Sequence, residues 1–253
     1  ARAGTLPVPL TPADITGEVH CHSTWSDGAH SIEEMARAAL ARGYRYLAIT
    51  DHSQSLGVAN GLSPERLRRQ RREIEQVQAR LPGIRLWQGT EMEIRADGAL
   101  DFDDGVLAEL DFVVASVHTG LRQERDTLTR RMLNAIRNPH VRLIGHPTGR
   151  LLTRRDPGDF DMEAVMQAAA QTGTALEINA SPERLDLNDV HVRRAVELGV
   201  GLIINCDAHH TDHFDNLHFG VATANRGWAT RANVLNTLPP AEFEQIVLRR
   251  RSA

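Results

Sequence analysis

Lysine is missing from this chain: all 29 basic residues among its 253 are arginine. That excludes Schiff-base catalysis and a P-loop lysine, both of which need a primary amine. Cysteine is nearly as scarce. Cys21 and Cys206 are too few for a disulfide framework and lack the paired spacing of a zinc knuckle, so thiol chemistry is not expected. No apolar run approaches the ~20 residues of a membrane helix, and residues 1–12 lack the charged-then-apolar order of a signal peptide. The expectation is a cytoplasmic chain with no membrane partner. A positive excess is also absent. The net charge of −4 argues against a protein that coats nucleic acid and leaves only local arginine clusters to meet phosphate.

Repeats, low-complexity tracts and Ser/Gly linkers are absent as well, which favours one domain. We read residues 17–240 as that domain, 1–16 as an N-terminal extension or linker, and 241–253 as a C-terminal helix or tail. The composition, 41% hydrophobic and 25% charged, suits a buried core. Short apolar stretches at 17–23, 44–50, 84–94, 112–118, 141–146, 174–180 and 201–207 read as seven strands. Helical patterns lie between them. Ser31 with Glu34 matches a capping box, Pro64 follows Ser63 at a first turn, and further helices are expected over 122–137, 161–172 and 189–198. Regular strand–helix alternation implies right-handed crossovers and a parallel sheet, which either a barrel or a doubly wound sheet satisfies.

The reactive side chains separate these two. His20, His22, His52, Glu91, His118, His146, Asp207 and His209 fall at or just beyond strand ends, and Asp27 in the turn after the first strand. In a closed barrel the C-terminal strand ends meet on one rim, whereas an open sheet scatters them along a line. The expected fold is therefore α/β, a TIM-like barrel of seven strands with a metal cluster at the C-terminal strand ends. His20 and His22 are spaced i, i+2 and share a face, while Cys21 turns away into the core, as Cys206 does beside Asp207. Imidazole and carboxylate donors without thiolate suit Zn²⁺, Mn²⁺ or Fe²⁺.

These motifs, HxH at 20–22, TDH at 50–52, the strand-end Glu91, the isolated His118 and His146, and DxH at 207–209, resemble the PHP family of polymerase and histidinol phosphatase domains. Longer segments resemble the PHP domain of bacterial family X DNA polymerases more closely: GLSPERL at 61–67, GTEMEI at 89–94, LDFDDGVLAELDFVVASVH at 100–118, GHPTGRLL at 145–152, EINASPERLDL at 177–187 and RANVLNTL at 231–238. The resemblance implies a distorted (β/α)₇ barrel carrying three divalent metals, with Mn²⁺ for activity and Zn²⁺ or Fe²⁺ as alternatives. It assigns His20, His22, Glu91 and Asp207 to the first metal; Glu91, His118 and His146 to the second; and Asp27, His52 and His209 to the third. His20, His22, Glu91, His118 and Asp207 would also be the catalytic set. Glu18, where the family more often has Asp, and His210, where a small residue is usual, depart from the pattern; Glu18 is expected to support the ligands and His210 to be a solvated loop residue.

The implied function is metal-dependent phosphoester hydrolysis by an activated water: a 3′–5′ exonuclease that processes DNA 3′ ends in repair, its DNA gripped mainly by a polymerase module outside this sequence. Two other functions compete, a small-molecule phosphatase of the histidinol-phosphate type and a non-catalytic module that docks a polymerase. Arg150 and Arg184, in GHPTGR and SPER, are candidates to fork onto a substrate phosphate, or else to form surface ion pairs. Asp51 is expected either to orient an imidazole or to cap a helix. Trp25 can stack on a base or pack at the rim, and the arginine run at 66–72 reads as a solvated helix face or a DNA contact.

Overall fold

Seven parallel strands pair in sequence order in the computed structural model, which describes residues 6–248: β1 (Gly17–Glu18), β2 (Tyr46–Ile49), β3 (Arg85–Glu93), β4 (Phe112–Ser116), β5 (Leu143–Ile144), β6 (Ala175–Asn179) and β7 (Leu202–Asn205). Residues 1–5 and 249–253, the outer parts of the expected extension and tail, lie outside the described residues. Around the strands stand α1 (Ile32–Ala41), α2 (Pro64–Arg80), α3 (Asp104–Leu107), α4 (Arg125–Arg137), α5 (Met162–Thr172), α6 (Asp189–Glu197) and α7 (Leu217–Arg226), followed by α8 (Pro240–Phe243). The expected signals operate: Ser31 and Glu34 form a reciprocal capping box on α1, and Ser63 accepts from the Arg66 amide with Pro64 in the first turn of α2. The spacing of apolar residues did not single out α3 or α7.

Among the described residues β7 and β1 share no ladder, yet the sheet curls until they meet. Cys21 bridges Ala208, the Ala208 amide donating to the His20 carbonyl (3.1 Å) and the His22 amide to the Ala208 carbonyl (2.8 Å). Buried side chains join the rest of the seam. Asn236 Nδ2 donates to the carbonyls of Gly17 (2.9 Å) and Ile204 (2.7 Å), and the Val19 amide donates to Asn205 Oδ1 (3.1 Å). The result is a nearly closed, distorted (β/α)₇ barrel.

Two apolar clusters divide the core. The outer one seats α1, α2 and α4–α7 on the outward strand residues, including Leu47, Val113, Ile178 and Ile204; both cysteines are buried there as free thiols. The inner one fills the barrel floor with Tyr46, Trp87, Phe112, Val114, Leu143 and Ile203, and Phe243 of α8 closes it from below. Val19 lies in the inner cluster and Cys21 in the outer, although an unbroken strand would put both on one face. The chain thus leaves the ladder after Glu18, which is why the stretch expected as a strand over 17–23 keeps only two paired residues. No helix among the described residues is long and apolar enough to cross a membrane.

Candidate metal centre

The upper end of the barrel interior is polar. His20, His22, His52, Glu91, His146 and Asp207 are all at least nine-tenths buried, and the barrel draws them together from positions up to 187 residues apart in sequence. Two of them sit on strained backbone: His146 has φ 25° and Asp207 φ 52°, in or beside the left-handed region that non-glycine residues avoid. The preceding Gly145 makes the turn at His146 possible, because a Cβ there would stand 2.5 Å from Ser116 Oγ and 3.2 Å from His20 Cε1. In the same way a Cβ on Gly28 would meet the His22 carbonyl at 2.7 Å, so glycine lets the loop carrying Asp27 fold onto the first strand.

Glu91 is central. Its Oε2 lies 3.3 Å from His20 Nε2, 3.5 Å from His22 Nε2 and 3.0 Å from His52 Nδ1; its Oε1 lies 2.8 Å from His146 Nε2 and 3.3 Å from His118 Nε2. Asp207 Oδ1 completes the first group, 3.4 Å from His20 Nε2 and 3.2 Å from His22 Nε2. A second group gathers Asp27, His52 and His209 with His22, ligand atoms within 4.8 Å of one another, and a third gathers His52 with Glu91 and His118. All nine residues singled out in the sequence therefore meet in one cup. His22 and His52 each face two groups, where the resemblance assigned each to one metal.

Three of the imidazoles are oriented by an acceptor behind the ring. His20 Nδ1 faces Glu177 Oε1 (2.7 Å), His118 Nδ1 faces Glu93 Oε2 (2.7 Å), and His209 Nδ1 faces the Asp207 carbonyl (2.8 Å), so each ring presents Nε2 to the cup. His20 Nε2, His22 Nε2, His52 Nδ1, Glu91 Oε2 and Asp207 Oδ1 are buried without a hydrogen-bond partner. Orphaned polar atoms of this kind cost free energy unless something pairs with them, and a converging set of N and O donors fits a divalent cation. The cup also balances charge internally: against burial, Glu177 and Asp207 raise His20 well above its ordinary value, and Glu91 and Asp27 raise His52 to about 10. Burial opposes ionisation of Glu91, yet His20, His118 and His52 hold it well below the usual carboxylate range. Burial pushes His22 down to about 3, with His209 and His52 adding to the effect, so this ring is a neutral donor.

Glu177 and Glu93 escaped the sequence reading. Glu177 is fully buried: besides His20 it accepts from the His146 amide (2.6 Å), Asn179 Nδ2 (3.1 Å) and Asn205 Nδ2 (2.9 Å). The signal was present in Glu91-x-Glu93 and Glu177-x-Asn179, the same i, i+2 alternation that marks His20-x-His22. Glu177→Gln removes the charge behind His20 and should weaken metal affinity roughly 10- to 100-fold, read by titration against a chromophoric chelator. Unchanged affinity would remove Glu177 from the site.

Other expectations are revised. Asp51 neither orients an imidazole nor caps a helix; it accepts from the Ser23 amide (2.8 Å) and from Ser23 Oγ (2.7 Å), Ser26 Oγ and Gln70 Nε2, tying down the loop that carries Asp27. Glu18 reaches backbone rather than ligands, accepting from the amides of His20 (3.2 Å) and Cys206 (2.9 Å), and burial pushes it up to about 8. Arg150 gives Nε to the Arg184 carbonyl (2.8 Å) and Nη2 to the Leu185 carbonyl, so it braces the neighbouring loop with two of the three nitrogens expected to meet phosphate. Arg184 stands at the cup, Nε 3.4 Å from Asp207 Oδ2 and Nη1 buried without a partner. Trp25 packs at the rim, donating to Glu73 (2.9 Å), and Arg68 and Arg71 pair with Glu109 and Asp111.

The PHP domain family model matches residues 18–181. The chain is 48% identical to the DNA polymerase/3′-5′ exonuclease PolX of Bacillus subtilis over 93% of its own length, and spans 41% of that relative. It is 30% identical to a probable phosphatase of Thermoanaerobacter sp. strain X514, covering 87% of this chain and 89% of that one. Among solved structures, a histidinol phosphate phosphatase from Lactococcus lactis, complexed with zinc, L-histidinol and phosphate, superposes with a TM-score of 0.64 at 19% identity, covering 85% of this chain and 95% of that one. Barrel, cup and sequence agree, and the chain belongs to the PHP domain family.

Proposed function

We propose that this metal-dependent phosphoesterase acts on DNA as a 3′–5′ exonuclease, trimming or cleaning 3′ ends in a repair setting. The observation that carries this is the 48% identity with PolX over 93% of the chain. Because the chain spans only two fifths of that relative, most of the grip on DNA is assigned to a polymerase module outside this sequence. Three divalent ions are held by His20, His22, Glu91 and Asp207, by Glu91, His118 and His146, and by Asp27, His52 and His209, with manganese as the activating ion and zinc or iron(II) as the others this donor set accepts. When bound, such ions lower the pKa of water and neutralise charge on phosphoryl oxygens.

The protein's own part is positional. Glu91 divides its two oxygens between neighbouring groups and so sets their spacing. Glu177 and Glu93 hold two rings in the tautomer that offers Nε2. Arg184 carries an unpaired guanidinium nitrogen beside Asp207, placed to take a phosphoryl oxygen, while Arg150 supports it through the Arg184 carbonyl.

A second function, phosphate-monoester hydrolysis on a small molecule, draws on the near full-length match to the probable phosphatase. One experiment separates the two. The manganese-loaded protein is incubated with a 3′-recessed, 5′-labelled duplex and, in parallel, with histidinol phosphate, the Asp207→Ala variant serving as blank. A ladder of shortened DNA that is absent from the blank is expected. Phosphate release from histidinol phosphate alone would move the protein to the small-molecule function, and silence on both would leave a docking module.

A further inference from the structure

Beside the cup, three further histidines gather on the rim: His30 packs edge-on against His210 with ring centroids 4.3 Å apart, and His213 follows at 6.0 Å from His210. None of them belongs to a group whose donors converge on a cation among the described residues. Their hydrogen bonds indicate why. The Asp212 amide donates to His210 Nδ1 and the His209 amide donates to His213 Nδ1, each at 3.2 Å. A ring nitrogen that accepts an N–H carries no proton, so each neutral ring must bear its proton on Nε2. Both rings thus keep Nε2–H free to donate, the opposite of the tautomer a metal ligand at Nε2 requires.

The place of this pair is also fixed. The Ala29 amide donates to the His209 carbonyl (2.7 Å), and the Thr24 amide donates to the His30 carbonyl (2.9 Å), which holds the histidine patch to the loop carrying Asp27. Arg184 stands with Asp207, its Nε 3.4 Å from Asp207 Oδ2, so the cup already holds one guanidinium donor of its own. Among the described residues the one acid paired with the patch is Asp212, its Oδ2 3.4 Å from His210 Nδ1, on the acceptor edge of that ring and not the donor edge.

We propose that His210 and His213 form a second phosphate subsite, which takes a non-scissile backbone phosphate of a nucleotide strand whose terminal linkage lies in the cup. This deepens the exonuclease function and rests on it: a strand offers a neighbouring phosphate and a small monoester does not.

Asparagine supplies the test, because its Oδ1 can replace Nδ1 as acceptor for the backbone amides while its own donor, Nδ2, stays nearer the backbone and falls short of the ring Nε2–H. In the His210→Asn/His213→Asn double variant, binding of a fluorescein-labelled hexathymidylate by the whole chain, followed by anisotropy at fixed salt, should weaken about tenfold, as expected for losing donors to a charged acceptor. Metal content and kcat/KM for p-nitrophenyl phosphate should stay within about twofold. Equal loss on both substrates would overturn the proposal, since it would trace the effect to His209, and unchanged hexathymidylate affinity would overturn it as well. Should the chain prove to bind strands without shortening them, the anisotropy result still decides the subsite while the exonuclease function fails separately.

Discussion

Glu91→Ala is expected to lower phosphoesterase activity by a factor on the order of a thousand or more, as loss of a group that organises several charged partners does. Five imidazoles face its two oxygens, those of His20, His22, His52, His118 and His146, and its carboxylate is 1% exposed, so no neighbouring solvent-borne group shares its charge. Metal analysis of the purified variant should show loss at more than one site, with the barrel still folded by circular dichroism. His52→Ala is the informative companion. The family resemblance places His52 on the third metal, but its Nδ1 lies 3.0 Å from Glu91 Oε2 and its Nε2 3.5 Å from Asp27 Oδ2. Its removal should therefore disturb both neighbouring groups. Full metal content in Glu91→Ala would sink the assignment of Glu91 as the shared ligand.

Phe243→Ala should destabilise the fold by roughly 3–5 kcal/mol, the usual range for emptying a buried phenyl site, and lower the melting temperature by roughly 6–20 °C. The ring is fully buried and lies 4.8 Å from Tyr46, 5.5 Å from Trp87 and 6.3 Å from Phe112 by ring centroids. Those three rings line the barrel floor. Thermal unfolding followed by calorimetry measures the effect, and a shift under about 2 °C would mean that α8 does not close the barrel. Activity per folded molecule should be unaffected, because the cup is at the other end of the strands.

Much of this was legible because it is periodic. Alternation along strands put His20 with His22 and turned Cys21 away, and the helix signals at Ser31 and Ser63 are local in sequence. The side chains of the cup were readable because eight of the nine fall at or just beyond an expected strand end and Asp27 in the loop that follows the first, and a barrel leaves strand ends only one rim on which to meet. Glu177 and Glu93 were harder. A buried carboxylate on a strand resembles any polar residue until the ring behind which it stands is known, and that ring is on another strand. Arg150 was hard to read for a related reason: nothing local shows that its guanidinium gives two nitrogens to the carbonyls of Arg184 and Leu185. The early end of β1 was invisible too, since Val19 and Cys21 are both apolar and suit either cluster.

The seam between β7 and β1 fixes more than closure. A continuous ladder repeats every two residues, and one such step along it keeps every side chain on its face and every ladder bond in kind. Here the join runs through Asn236, Asn205 and Glu18, all fully buried, each meeting particular amides or carbonyls. Sliding β1 by one repeat would strand every one of these groups at once, a cost of about 1–3 kcal/mol for each. The stitches thus act as a height gauge: they set the level of His20 and His22 against Asp207, and the geometry of the cup is inherited from amide chemistry that offers it no ligand atom.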